Sequence, residues 1–367
     1  MGKTPSVQKL PPVWLVKAIN NFRTFLLHLN RRLFPGNVVL YEQCQNFWLL
    51  PALYVAAKLD IATLLKPGPL TAEKLSERLN ADPSNIARIL RALSSQGIFR
   101  QTRDGSYTLN AMSRSLLDEP GSLRYVILHH LGPVNWNLMN GLENTVITGK
   151  DAFTEKYGSG PYEYLRDHPD EYLLFDRSMT NLSDLALAPV MNAYDFTGYP
   201  VIADIGGGEG FLLANILHNN PGCRGILFDT HDALVKAPEM MARYQVEDRS
   251  QIVAGDFFHA IPIHGDLFIL KNVLHNWSDE QCVELLKIIN RVMENHSTLL
   301  IIDMVVPPGN KPSLSKLLDI QMMASMKGGK ERTAVEFTEL LGKSGFSLNR
   351  IIPTIAPLCL AEAKKMR

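Results

Sequence analysis

His275, Asp303 and Glu331 are the side chains in this sequence whose types suit moving a proton together. His275 stands in LKNVLHNWSDE, Asp303 in TLLIIDMVV and Glu331 in GGKERTAVEF. A carboxylate that accepts from one imidazole nitrogen fixes the tautomer and makes the other nitrogen a stronger base. Such a base can take the proton of an acceptor hydroxyl. A histidine read alone has blander explanations. It can be a satisfied core residue or a metal ligand, although no second His or Cys stands at ligand spacing and no metal is expected.

A second group of residues suits a nucleoside. ADIGGGEG, Ala203 to Gly210, places glycines at 206, 208 and 210, where the main chain can turn tightly and approach a ligand at a helix start. A dinucleotide fingerprint would need its third glycine at 211, where Phe211 stands. The shorter spacing, with Asp204 just before it, suits a ligand without a pyrophosphate. Asp229 lies 21 residues beyond Gly208, well placed for ribose hydroxyls. Asp256 with Phe257 can bond an adenine amino group and pack on the base. Each acid could instead cap a helix or sit solvated in a loop. At the ends of three successive strands they together describe an adenosine pocket.

The elements that must carry these residues begin at Val201. Short apolar runs (VIADI, GILFD, QIVAGD, DLFILK, TLLIIDMVV) alternate with helical stretches at 211–219, 233–245, 279–293 and 312–326, and a helix from 334 precedes further strands. This alternation predicts a doubly wound α/β sheet, whose ligands bind beyond the carboxyl ends of the strands. Ser278 with Gln281 forms a capping box that starts a helix just after His275, and Thr333 with Glu336 forms another just after Glu331.

Upstream, residues 38–66 read as one helix and 115–195 as mostly helical. Between them, Thr71 caps a short helix, Asp82-Pro83 starts another, Gly97 ends it, and Asp104-Gly105 turns a hairpin. Helix, turn, helix and hairpin make a winged helix-turn-helix. That raises the rival function of a DNA-binding regulator, with Arg88 and Arg91 on the reading helix. Residues 70–110 hold only six basic against four acidic side chains, which favours a packing and dimerisation module over nucleic acid.

With 37 Lys+Arg and 37 Asp+Glu the chain gives no overall charge reason to expect nucleic acid or a membrane as partner. Four dispersed cysteines without a CxxC pair predict reduced, cytoplasmic thiols. Lys17, Arg23, Arg31 and Arg32 interrupt the apolar stretch at 13–34 short of a membrane span. Trp14, Phe22, Phe25, Leu26, Leu29 and Leu33 instead share a helix face, expected to pack on a partner subunit, with membrane-surface contact as the alternative.

In their order and spacing, DIGGGEG, LFDTH, GDFF, LKNVLHNWSDEQC and GGKERTAVEF resemble the S-adenosylmethionine-dependent O-methyltransferases of the plant caffeate type. Bacterial relatives of that family act on polyketides, phenazines and other aromatic natural products. The resemblance covers about residues 38 to 365 and implies a Rossmann-like methyltransferase sheet with an N-terminal, mainly helical winged-helix dimerisation domain. The implied division is 1–37 extension, 38–115 dimerisation domain, 116–195 linker and substrate lid, and 196–367 catalytic domain. S-adenosyl-L-methionine is the implied cofactor. Gly206 and Gly208, with Asp204 before them, would hold its methionine part, Asp229 the ribose, and Asp256 and Phe257 the adenine. Lys271 would lie beside it. FDRSMTNLS resembles the helix that closes over the site, nominating Phe175, Met179 and Ser183. His275 would be the base, oriented by Asp303 and Glu331, in a homodimer acting on a small aromatic molecule in secondary metabolism.

Two departures bear on the site. Plant members usually have glutamate where Asp303 stands, so this shorter acid is expected to reach His275 through water. They have His-Asp where this chain has His275-Asn276, which makes Asn276 a candidate acceptor contact. Met322, Met323 and Met326 either line the acceptor pocket or belong to the core. Trp136, His129 and His130 belong to the helical region that would shape the acceptor site. A further rival keeps the cofactor pocket for decarboxylation, hydroxylation or a pericyclic step.

Overall fold

The computed structural model describes residues 10–366, in which the chain divides into two compact units. One holds residues 21–140 and 162–184, and the other holds the described residues 10–20, 141–161 and 185–366.

In the first unit, helices Ala72–Leu79 and Pro83–Ser95 precede a hairpin of β1 (Arg100–Gln101) and β2 (Tyr107–Thr108). The local chemistry behaves as read. The Thr71 hydroxyl accepts from Lys74 N–H, and Asp82 accepts from Asn85 N–H. Gly97 and Gly105 take the positive φ that ends the second helix and turns the hairpin. Ile86, Leu90 and Leu93 are buried against Ala56, Ile61 and Leu65. The single helix expected over 38–66 is instead three: Gly36–Cys44, Asn46–Lys58 and Ile61–Leu65. The last break falls at Asp60, whose φ of 54° cannot continue a right-handed helix. Arg88 and Arg91 line a groove with Trp48 and Ala52, so an aromatic side chain shares the face a DNA reader would keep polar.

In the second unit the strands are β3 (Val201–Ile205), β4 (Arg224–Asp229), β5 (Ser250–Ala254), β6 (Leu267–Lys271), β7 (Thr298–Val306), β8 (Arg332–Thr333), β9 (Phe346–Pro353) and β10 (Leu358–Lys365). The order across the sheet is β5-β4-β3-β6-β7-β10-β9, with β8 beside β7. β3 pairs in parallel with β4 on one side and β6 on the other, so the order reverses between β3 and β6. That reversal is the switch point at which doubly wound sheets bind ligands. β10 runs antiparallel between β7 and β9.

The inner strands β3, β4, β6 and β7 are buried on both faces, since successive side chains point to opposite sides and helices cover each. Ile202, Leu227, Ile269 and Leu300 meet helix Phe211–Asn219 and helix Ala237–Arg243. Ala203, Phe228, Leu270 and Ile301 meet helix Asp279–Val292 and helix Ala334–Lys343. The helix expected over 233–245 is shorter because Pro238 sits in its first turn, where proline is tolerated. Both expected capping boxes form, Ser278 with Gln281 and Thr333 with Glu336.

Candidate active site

The carboxyl ends of β3 and β4 supply the first part of the site. Gly206 and Gly208 take positive φ, and Gly208 N–H donates to Asp229 Oδ2 at 2.8 Å. A Cβ on Gly206 would lie 2.9 Å from Val273 Cγ2, and one on Gly207 would lie 2.7 Å from the Asp204 carboxyl. At Gly208 a Cβ would meet nothing within 4 Å, so the loop is packed on one side and open at its tip. Asp204 is buried, and its Oδ1 finds no hydrogen-bond partner among the described residues.

Burial pushes the Asp204 carboxyl up to about 7, with Lys271 opposing and Asp229 adding to the shift. Asp229 is also pushed up by burial, against the pull of the Gly208 and Thr230 N–H groups. Burial lowers Lys271, while Asp204 and Asp303 hold its proton on. A ribose, with hydroxyls to donate, suits Asp229 beside the open glycine turn, and a cationic amino acid part suits the unpartnered oxygen of buried Asp204.

The second part lies at the ends of β6 and β7. His275 occupies a 3-10 turn, Leu274–Asn276, that the capping box of the next helix holds in place. Its Nδ1 lies 2.9 Å from Glu331 Oε1 and 3.6 Å from Asp303 Oδ1. A carboxylate only accepts, so Nδ1 carries the hydrogen and Nε2 keeps its lone pair. The longer distance is outside hydrogen-bond range, and both Asp303 oxygens lack partners among the described residues.

Burial opposes charge on His275, but the nearby Asp303 charge and the Glu331 hydrogen bond outweigh it, and the pKa rises. Asp303 itself is pushed up to about 6, chiefly by burial, with His275 opposing. Donor atoms of His275, Asp303 and Glu331 lie within 4.8 Å of one another, a metal-capable grouping that linear spacing does not disclose. The Nδ1–H bond to Glu331 already engages two of those atoms.

One short segment holds this group together, and most of its residues are invisible as functional residues in the sequence. Gly328 and Gly329 bring it against the histidine turn. A Cβ on Gly328 would lie 2.7 Å from Ser278 Cβ, and one on Gly329 would lie 2.8 Å from the His275 carbonyl. Lys330 N–H donates to that carbonyl at 2.9 Å. Glu331 N–H donates to Asp319 Oδ1 at 2.8 Å. Arg332, 1% exposed, donates to Leu274 O at 2.7 Å, Trp277 O at 2.9 Å and Asp279 Oδ1 at 2.9 Å. Its guanidinium therefore grips both sides of the turn that presents His275. The only sequence signal was the charge triplet Lys330-Glu331-Arg332 set between two glycines and a helix cap.

Other nominated residues fall in varied surroundings. Asp256 is exposed and turned into its own loop, accepting from Phe258 N–H and lying 2.8 Å from His259 Nδ1. Phe257 packs near the Trp277 ring, 6.0 Å away. Asn276 donates to Asn272 O. Met322 is buried, Met323 exposed and Met326 half-buried. In the other unit, Phe175, Met179 and Ser183 recur every fourth residue along helix Pro169–Ala193. The Phe175 ring lies 5.5 Å from His129, and Trp136 lies 6.2 Å from Phe47. Burial lowers His129 to about 4, with His130 adding to the shift.

A doubly wound sheet with a glycine turn and an acid at its switch point, alongside a winged-helix unit, defines a nucleoside-cofactor transferase of the methyltransferase type. Comparison with known proteins makes the class specific. The O-methyltransferase domain family matches residues 139–347, and the O-methyltransferase dimerisation domain matches residues 41–119. The phenazine O-methyltransferase PhzM of Lysobacter antibioticus is 35% identical over 331 residues, 90% of this chain and 96% of that protein. Its solved structure superimposes with a TM-score of 0.85, covering 91% of this chain and 100% of that one. A mitomycin biosynthesis 6-O-methyltransferase of Streptomyces lavendulae is 34% identical over 88% of this chain and 92% of its own length. CalO1, a methyltransferase of calicheamicin biosynthesis solved with SAH bound, is 31% identical with a TM-score of 0.81, covering 90% of this chain and 98% of its own. The chain belongs to the S-adenosyl-L-methionine-dependent O-methyltransferase family, in the bacterial branch of the plant caffeate type.

Proposed function

We propose that this O-methyltransferase methylates a hydroxyl of a small aromatic natural product, a phenol, quinone or polyketide, with His275 as general base. The observation that supports the reading is the 2.9 Å contact between His275 Nδ1 and buried Glu331, which leaves Nε2 as the proton acceptor. A phenol near pKa 10 is scarcely ionised at neutral pH. Nε2 takes its proton as the oxygen lone pair forms the new bond to carbon, and Glu331 and Asp303 stabilise the imidazolium that results. When bound, S-adenosyl-L-methionine would supply an electrophilic methyl on a sulfonium, with a neutral thioether as the leaving group. Gly206, Gly208 and Asp204 would hold its amino acid part, Asp229 the ribose, Asp256 and Phe257 the adenine, and Lys271 would lie beside it. Phe175, Met179 and Ser183 would close over cofactor and acceptor, while Trp136, Asn276, Met322 and Met326 would shape the acceptor site.

The same reading assigns residues 38–115 to a homodimer interface, 116–195 to the acceptor region and 196–367 to cofactor binding and chemistry, with 1–37 as an extension. All four cysteines are free, which fits a reducing cytoplasm. The test is incubation with methyl-labelled cofactor and a panel of phenols, quinones and hydroxylated polyketides, read by mass. His275→Ala should keep cofactor affinity and lose about 10²- to 10⁴-fold in methyl transfer. A variant transferring methyl at the parent rate would remove the base from the scheme.

A further inference from the structure

The helix Val13–Arg32 buries none of its residues among those described. With 3.6 residues per turn, Trp14, Phe22, Phe25, Leu26 and Leu29 share one broad arc. They stand open to solvent, Trp14 at 70% and Phe22 at 60% exposure. Lys17, Asn20, Thr24, His28 and Arg31 occupy the opposite arc together with Leu27, and Arg23 stands on its flank. No Asp or Glu precedes Glu42, whereas six Lys and Arg do. Since the whole chain is neutral, the remainder is acidic by the same six charges.

An apolar arc of Trp, Phe and Leu backed by a polar face whose only formal charges are cationic is the pattern of a helix lying in the headgroup region of a bilayer. A helix that covers a protein partner has no such need to exclude every acid, because acids pair with the partner's cations. The segment precedes the matched dimerisation domain, which begins at residue 41. Among the described residues no helix is long and apolar enough to cross a membrane, so the helix would lie in the surface plane. We propose that Val13–Arg32 docks the enzyme on an anionic lipid surface, its apolar arc toward the acyl chains and Lys17, Arg23 and Arg31 among the phosphates. This departs from the subunit contact suggested by the apolar spacing, and the one-signed charge is the reason.

The test is co-sedimentation of the full-length protein with phosphatidylcholine vesicles, with and without about a third phosphatidylglycerol. Binding should require the anionic lipid and fall steeply as salt shortens the Debye length from roughly 30 Å to a few ångströms. Lys17→Gln and Arg23→Gln should each weaken it about fivefold. Phe22→Ser with Phe25→Ser should abolish it while leaving methyl transfer and oligomeric state unchanged. Absence of binding, or equal binding to neutral and anionic vesicles, overturns the proposal. So does dissociation of the oligomer in the double serine variant, which would assign the face to a second copy of the chain.

Discussion

Replacing Glu331 by glutamine tests the proton-transfer scheme most directly, because it keeps the shape of the acceptor and removes only its charge. Glu331 Oε1 lies 2.9 Å from His275 Nδ1, and its side chain is 1% exposed. A hydrogen bond to a charged group contributes about 1.5–3 kcal/mol. That stabilisation would be withdrawn from the imidazolium formed as the acceptor proton moves, a loss of roughly 10- to 150-fold in kcat. The pH dependence should move as well. In the parent, burial opposes charge on His275 but Asp303 and Glu331 outweigh it, so the pKa lies above the ordinary value. The base works only when neutral, so the rate should climb as pH rises through that raised pKa. Glu331→Gln lowers it, which shifts the acid limb to lower pH while the plateau falls. The deficit should therefore shrink in acid, where more of the variant's imidazole is neutral. Full kcat and kcat/KM profiles with labelled methyl, beside a cofactor titration that stays unchanged, would read this. A deficit constant across pH, with the limb unmoved, refutes the role assigned to the pair.

Substitutions at two further positions separate orientation from stability. Asp303 is displaced from 3.8 to about 6, mainly by burial, so the folded chain holds that proton more tightly than the unfolded chain. The associated stability is complete below the unfolded value and lost as pH rises through the folded one, leaving an ionised, buried Asp303 that costs about 3 kcal/mol at pH 8. Asp303→Asn should raise Tm at pH 8 but not near pH 4, while lowering kcat; an equal Tm change at both pH values would contradict the assignment. Arg332→Met should leave the Leu274 and Trp277 carbonyls short of a donor, while half-exposed Asp279 keeps Lys330. That is a loss of about 1–3 kcal/mol for each carbonyl, with kcat falling and cofactor affinity kept. Arg332→Lys should restore little, since one ammonium cannot replace a planar fork. Parent kcat in a destabilised Arg332→Met would show that the clamp serves the fold alone.

The parts of this molecule legible in its sequence are those decided by chemistry within a few residues. Thr71, Asp82, Ser278 with Gln281 and Thr333 with Glu336 cap the helices they were expected to start, because a side-chain oxygen and the N–H it satisfies lie three residues apart. The glycine turn and the apolar strands were likewise local, and the winding of the sheet follows from their alternation. The break at Asp60 was not legible. LDIATLL suits a continuing helix, and only packing against the winged-helix core places that residue at positive φ. The missing methylene of Asp303 was legible as a shorter reach toward His275, whereas the 3.6 Å at which two strand ends leave the pair was not.

Arg332 shows why the site was only half readable. In the run Lys330-Glu331-Arg332, only Glu331 was legible as a functional acid, in a loop just before a capped helix. In the fold the middle residue meets the imidazole, and the third is buried beneath the turn that carries it. β8 pairs with β7 through Arg332 and Thr333, so neighbouring strands carry Glu331 and Asp303 to the same imidazole. The capping box at Thr333 fixes where the following helix begins, and hence how far Glu331 can stray from β7. One stretch of nine residues, from Gly328 to Glu336, thus supplies close approach, partner, clamp and anchor. A histidine motif and a glycine motif announce the chemistry, but the tautomer at His275 is set by residues whose partners lie over fifty positions away in the chain.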